Sequence, residues 1–199
     1  MSDQPLQPAG NSDYVPGPLP VVVSETDYLR LVNQQGWDYV QRKGATGVVT
    51  VMASTPEDRV VFVEQYRIPV GANVIEFPAG LAGDLTGASD ESLREAAERE
   101  LLEETGYQAN RWTHVMTSPS SAGLTDELIS FFLAEQLERV GPGGGDDSES
   151  IRVHEVDFAR VDEWLMRKQR QGKLLDARLY TGLYLMKTAR QQRIGERRH

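Results

Sequence analysis

Along most of this 199-residue chain the apolar positions come in short runs or alternate with polar ones, the pattern of buried and half-buried strands. Residues 47–53 and 60–67 are two such runs, flanking the turn-like Thr55-Pro56-Glu57-Asp58. A third, 73–77, leads into the turn Pro78-Ala79-Gly80. Further strands are expected at 21–23, 37–42, 112–117, 127–134 and 151–158. The spacing becomes helical around 91–107 and again over 161–171 and 177–192. This order predicts an α/β fold, a mixed β-sheet between helical layers. The first 20 residues are polar and rich in Pro, Gly, Gln and Ser, and are expected to be partly disordered. Residues 21–45 are read as a small N-terminal β extension, 46–194 as the main domain and 195–199 as a basic tail.

The first helix breaks the usual rule for surface helices. On a wheel advancing about 100° per residue, Leu93, Ala97 and Leu101 form an apolar stripe; Glu100 and Glu104 fall inside it, and Glu103 lies at its edge. Carboxylates turned inward are costly to desolvate unless cations meet them. Glu100 and Glu104 stand one turn apart, about 6 Å along the axis, where two acids repel each other and suit hard divalent ions such as Mg2+. The wheel therefore predicts a metal site. Ser89 or Asp90 is expected to cap the helix, and Gly106 to end it. Arg99 lies four residues from both Glu95 and Glu103 and can pair with either. Glu91 falls opposite Glu100 on the wheel and is read as structural.

Composition narrows the possible partners. A net charge of −9 argues against a nucleic-acid polymer, whose phosphates select basic surfaces. No apolar run approaches the ~20 residues that span a bilayer, and the N-terminus has no basic-then-apolar signal pattern, so no membrane partner is expected. The chain has no cysteine, which excludes disulfides and thiol chemistry. The expected compartment is the cytoplasm.

Glu91, Arg99-Glu100-Leu101, Glu103-Glu104 and Gly106-Tyr107, in that order and spacing, resemble the Nudix box of the Nudix hydrolases. The glycine that usually leads that motif is replaced by Leu85, which points to a short insertion over 84–89. Outside the box, Gln65-Tyr66-Arg67, Glu76-Phe77-Pro78-Ala79-Gly80-Leu81 and Ser118-Pro119 with Gly123 and Thr125-Asp126-Glu127 are similar to segments of ADP-ribose pyrophosphatases and related nucleoside diphosphate sugar hydrolases.

The resemblance implies a Nudix α/β/α sandwich and a set of roles. Glu100, Glu103 and Glu104 would hold two or three Mg2+ ions, with Mn2+ able to substitute, and the Ala79 carbonyl would complete the coordination. Arg67 would bind substrate phosphate. Glu76 would contact the ribose or support its loop. Trp37 and Tyr39 lie where such enzymes stack the base, against the alternative of burial in the N-terminal sheet. The Gly-rich stretch 141–149 is expected to be mobile and to bring Asp147 or Glu149 to the reaction as general base, the other helping to hold a metal. The likeness also implies a homodimer. The leading function is Mg2+-dependent hydrolysis of the pyrophosphate of ADP-ribose or another nucleoside diphosphate sugar. A nucleoside triphosphate pyrophosphohydrolase and a noncatalytic nucleotide-sensing module are the alternatives.

Overall fold

A computed structural model describes residues 17–84, 90–145 and 150–196, with side chains to 192. Most of the N-terminal polar segment, most of the insertion, the acids of 146–149 and the last three residues lie outside that range.

The described residues open with a three-stranded antiparallel sheet: β1 (Val21–Glu25), β2 (Leu29–Gln34) and β3 (Trp37–Arg42). Sequence reading foresaw β1 in part and β3, but not β2. Gln35 and Gly36 turn β2 into β3 with positive φ of 55° and 83°, the left-handed pair a tight hairpin requires.

An eight-stranded mixed sheet forms the body. Its central strand, β4 (Gly47–Ser54), lies parallel to β9 (Leu128–Arg139) and meets β5 (Arg59–Arg67) antiparallel at only Ala53↔Val61 and Ser54↔Val60. At its other end β4 instead pairs β7 (Ala79–Ala82) through Gly47↔Ala82 to Thr50↔Ala79. The segment expected to be only a turn is therefore a strand at its far side. β5 continues against β6 (Ala72–Glu76) and, on its other edge, β10 (Arg152–Asp157). The splayed β4 and β5 leave room for a cleft that Ala79 and Gly80 border. β8 (Tyr107–Pro119) closes the sheet beyond β9, and β11 (Leu174–Leu175) pairs β6 in parallel.

Two apolar cores make this a three-layer sandwich. Met52, Phe62, Ile75 and Phe77 pack against α2 (Val161–Arg170) and α3 (Ala177–Glu196) through Leu165, Leu179, Leu183 and Met186. Gly182 lets α3 approach closely, since a Cβ there would stand 2.4 Å from the Phe77 ring. Val49, Val51, Val61 and Phe132 pack instead against α1 (Leu93–Thr105) through Ala96, Ala97 and Leu101. Burying a side chain of this size stabilises by about 1.5–3 kcal/mol. The expected α/β/α layering is the architecture found.

Candidate active site

Helix α1 begins later than the sequence suggested. Ser92, not Ser89 or Asp90, is the N-cap: its hydroxyl accepts from the Glu95 N–H at 3.2 Å, while the Glu95 carboxylate accepts from the Ser92 N–H at 2.8 Å. This capping box satisfies two orphan donors and takes Glu95 away from Arg99. The stop is as expected, with Gly106 at φ 74°.

The stripe buries its acids unequally. Glu104 is 2% exposed, and its Oε2 accepts from the Ala79 N–H at 3.1 Å. Glu100 lines the cleft beside Ala79 and Gly80. Burial pushes the Glu100 carboxyl up to about 7 against the pull of Arg99, with Glu103 and Asp84 adding repulsion. Glu103, at the edge of the wheel, keeps 47% of its side chain exposed and accepts from Arg99 at 3.2 Å.

Arg99 holds this face together. Its Nε and Nη2 form a two-pronged contact with Glu91 at 2.9 and 3.2 Å. Its Nη1 reaches Glu100 at 2.8 Å, and Nη2 also reaches the Leu81 carbonyl at 2.8 Å. The guanidinium stays firmly protonated, its pKa raised chiefly by Glu91 against burial. Glu91 precedes the helix, so the wheel did not apply to it. Its carboxylate, held below the usual range by Arg99 against burial, also accepts from the Gly83 N–H at 3.0 Å. Glu91 thus ties the start of α1 to β7 and to Arg99.

The opposite wall of the roughly 810 Å3 cleft is built from ion pairs. Glu76 is 3% exposed and shared between two arginines, Arg67 Nε at 2.8 Å and Arg178 Nη2 at 3.1 Å. Asp176 locks Arg178, accepting at Oδ1 from Nε at 2.9 Å. That pairing holds the carboxyl below its ordinary value although burial opposes it. Arg178 was not anticipated: a lone arginine at the start of a helix carries no periodic signal. Arg42 also lines the cleft, paired with Glu127 at 2.8 Å. Asp84 lines the same cavity and stands 3.5 Å from Arg99.

Two expectations change. Trp37 is 63% exposed, which removes the alternative of burial in the N-terminal sheet; its Nε1 contacts the Gly123 carbonyl at 3.4 Å. Exposure leaves Trp37 available to a ligand, although it does not line the cleft that holds Arg67 and Glu100. The glycine run is not a free-hanging loop over 141–145: Gly144 and Gly145 donate to carbonyls of α1. Asp147 and Glu149 lie outside the described residues. His114 packs against Phe132, and His154 against Trp164 and Glu64.

Among the described residues no three His, Asp or Glu side chains converge closely enough to cage an ion, because Arg99 draws Glu100 and Glu103 toward itself. The donors nevertheless fit a hard divalent cation. Glu100 is a partly buried carboxylate whose Arg99 partner is shared with Glu91 and Glu103, Glu104 lies one turn away, and carboxylate and carbonyl oxygens are the ligands such ions prefer. Gly80 adds a cradle, since any Cβ there would overlap the Glu100 carboxyl.

Comparison with known proteins gives the same direction. A family model described as the NUDIX domain matches residues 42–177. A methanol dehydrogenase activator from Bacillus methanolicus is 32% identical over 124 residues, 62% of this chain and 64% of that protein. An ADP-ribose pyrophosphatase from Bacillus subtilis (strain 168) is 36% identical over 111 residues, 55% of this chain and 57% of that protein. The chain thus spans less than two thirds of either relative's length. A GDP-mannose pyrophosphatase from Cronobacter sakazakii is 31% identical over 140 residues, 66% of this chain and 68% of that protein. The crystal structure of an ADP compounds hydrolase superposes with a TM-score of 0.66, covering 92% of this chain and 98% of that one. At 19% identity that likeness concerns the fold.

Proposed function

We infer the reaction from family and site together: this chain belongs to the Nudix domain family, whose hydrolases generally use divalent metal ions, and we propose that it hydrolyses the pyrophosphate of ADP-ribose or a related nucleoside diphosphate sugar. The products are a nucleoside monophosphate and a sugar phosphate. One observation carries the reading. The partly buried Glu100, beside the Ala79–Gly80 backbone, shares a cleft with the guanidinium groups of Arg42, Arg67 and Arg178.

Mg2+, as two or three ions with Mn2+ able to substitute, is the proposed cofactor; when bound it neutralises phosphate charge and lowers the pKa of a bound water. Glu100, Glu103, Glu104 and the Ala79 carbonyl would hold it. The Ala79 N–H fixes the Glu104 carboxylate. Arg67 would grip a phosphate with its planar fork, released in part from Glu76. Glu76, clamped by two arginines, supports that wall. Asp147 or Glu149 is proposed as the base, with Glu149 also available to a metal. If Asp147→Asn and Glu149→Gln both keep full kcat, the base is elsewhere. Trp37 is proposed as a base-stacking residue. We also propose a homodimer formed through the N-terminal sheet, supported by its exposed Val21, Val22, Val23, Leu29 and Leu31. No helix among the described residues is long and apolar enough to cross a membrane.

A substrate panel with Mg2+ tests the reading. ADP-ribose is expected at or near the top, releasing AMP, with ADP-sugars or GDP-mannose as competitors. A clear preference for dNTPs with pyrophosphate release would replace it, and tight binding without turnover would mean a sensing module.

A further inference from the structure

The last turn of α1 ends against a surface made almost wholly of glycine backbone. Gly144 donates its N–H to the Glu104 carbonyl at 2.8 Å, and Gly145 donates to the Glu103 carbonyl at 3.0 Å. Gly106 takes the Leu102 carbonyl, also at 2.8 Å. Three of the four carbonyls that a helix leaves unpaired at its C-terminus are thereby satisfied. The contact is closer than side chains permit. A Cβ on Gly143 would lie 2.4 Å from the Thr105 carbonyl carbon, and one on Gly106 would lie 2.2 Å from the Gly141 oxygen. Both atoms met are backbone, so no rotamer change relieves either clash. Gly143 and Gly106 also have φ of 68° and 74°, which L side chains rarely adopt.

We infer that Gly143–Gly145 form a backbone clamp on the last turn of α1, which positions the carboxylates of Glu103 and Glu104 for metal binding. The inference rests on the metal reading above. Helix ends fray readily, and the two residues whose carbonyls are clamped are two of the proposed ligands. A displacement of this turn moves their carboxylates with it, and a misplacement of about 1 Å can cost on the order of a hundredfold in rate.

The test uses the full chain, Mn2+ as the probe, and two variants. Gly143→Ala meets the backbone clash, whereas Gly141→Ala brings its Cβ only to 3.8 Å from the Gly106 Cα, an ordinary contact. In the wild type the Gly144 and Gly145 amides should exchange slowly with solvent, and more slowly still with Mn2+ bound. Gly143→Ala should speed their exchange, weaken Mn2+ at least tenfold and raise the Mn2+ needed for half-maximal turnover. Gly141→Ala should match the wild type in all three. Wild-type Mn2+ affinity in a folded Gly143→Ala overturns the clamp. If that variant does not fold, the wild type decides: fast exchange at both glycines, or exchange indifferent to Mn2+, overturns it equally. A wild type that binds no Mn2+ sinks the metal reading and the clamp together; binding without the exchange or variant effects sinks the clamp alone.

Discussion

Gly80 and Glu100 stand so close that a Cβ on the glycine would lie 2.0 Å from the carboxyl carbon of the glutamate. The atom met is the end of a flexible side chain, so Gly80→Ala should fold and simply drive the carboxylate out of its cradle. Turnover should fall by about a hundredfold, the scale of an angstrom-sized misplacement, with the melting temperature little changed. Steady-state kinetics beside a thermal melt checks this. Unchanged turnover would mean that Glu100 does not work from this position.

Glu104→Gln should reduce turnover by at least about a hundredfold, because removing charge stabilisation at a reacting phosphate costs several kcal/mol. Its remaining carbonyl oxygen can still accept from the Ala79 N–H, so the fold should hold. Wild-type kcat in this variant would show that the inward acids are not the metal site.

Glu91→Gln should behave differently. It loses the charge that Arg99 grips with two nitrogens, at 2.9 and 3.2 Å. We expect a stability loss of about 1–3 kcal/mol, measured by denaturant unfolding, and a smaller fall in turnover than for Glu104→Gln. An equal kinetic loss would place Glu91 among the working acids.

A pH dependence follows from Glu64, which is 6% exposed. Burial alone would raise its pKa, but Lys173, His154 and Lys168 outweigh that and hold it at about 2 rather than 4.5. A depressed carboxylate stabilises fully above its unfolded value, and the benefit is lost as pH falls from about 4.5 toward 2. His154, kept neutral mainly by burial despite Glu64, adds a loss in the same direction, beginning where an unfolded histidine takes its proton near 6.5. Unfolding midpoints should therefore drop on acidification through both ranges. Lys173→Met should lower stability at neutral pH by about 1–3 kcal/mol and flatten the acid limb. An unaltered acid limb would remove Glu64 as its source.

Much of this molecule was legible because burial leaves a period. The runs at 47–53 and 60–67 became β4 and β5, and Leu101 and Glu104 fell inward as their wheel positions required. Where neighbouring local signals competed, reciprocal hydrogen bonding decided. Ser92 capped α1 because Glu95 could close the box with it, although Ser89 and Asp90 are equally good capping types. β2 was missed because Leu29, Leu31 and Val32 sit among Arg30, Asn33 and Gln34, a mostly exposed strand with little alternation. Arg178 escaped for another reason: its role exists only where α3 meets Glu76, 102 positions away in the chain. The glycine run read as mobile from composition alone, which cannot reveal that a neighbouring helix end lacks hydrogen-bond donors.

The parallel register of β4 on β9 also governs how the molecule must be built. Val48 lies opposite Ile129 and Ala53 opposite Ala134, so the centre of the sheet cannot close until four strands and α1 between them have been made. Pairings this far apart must pay loop-closure entropy before any contact repays it, which places such chains among the slow folders. On the ribosome α1 emerges well before Phe132, one of the residues it packs beside. Its apolar side can already lie on β4 and β7 through Val49, Val51 and Ala82, and β9, arriving later at the centre, completes that core with Phe132 and Ala134.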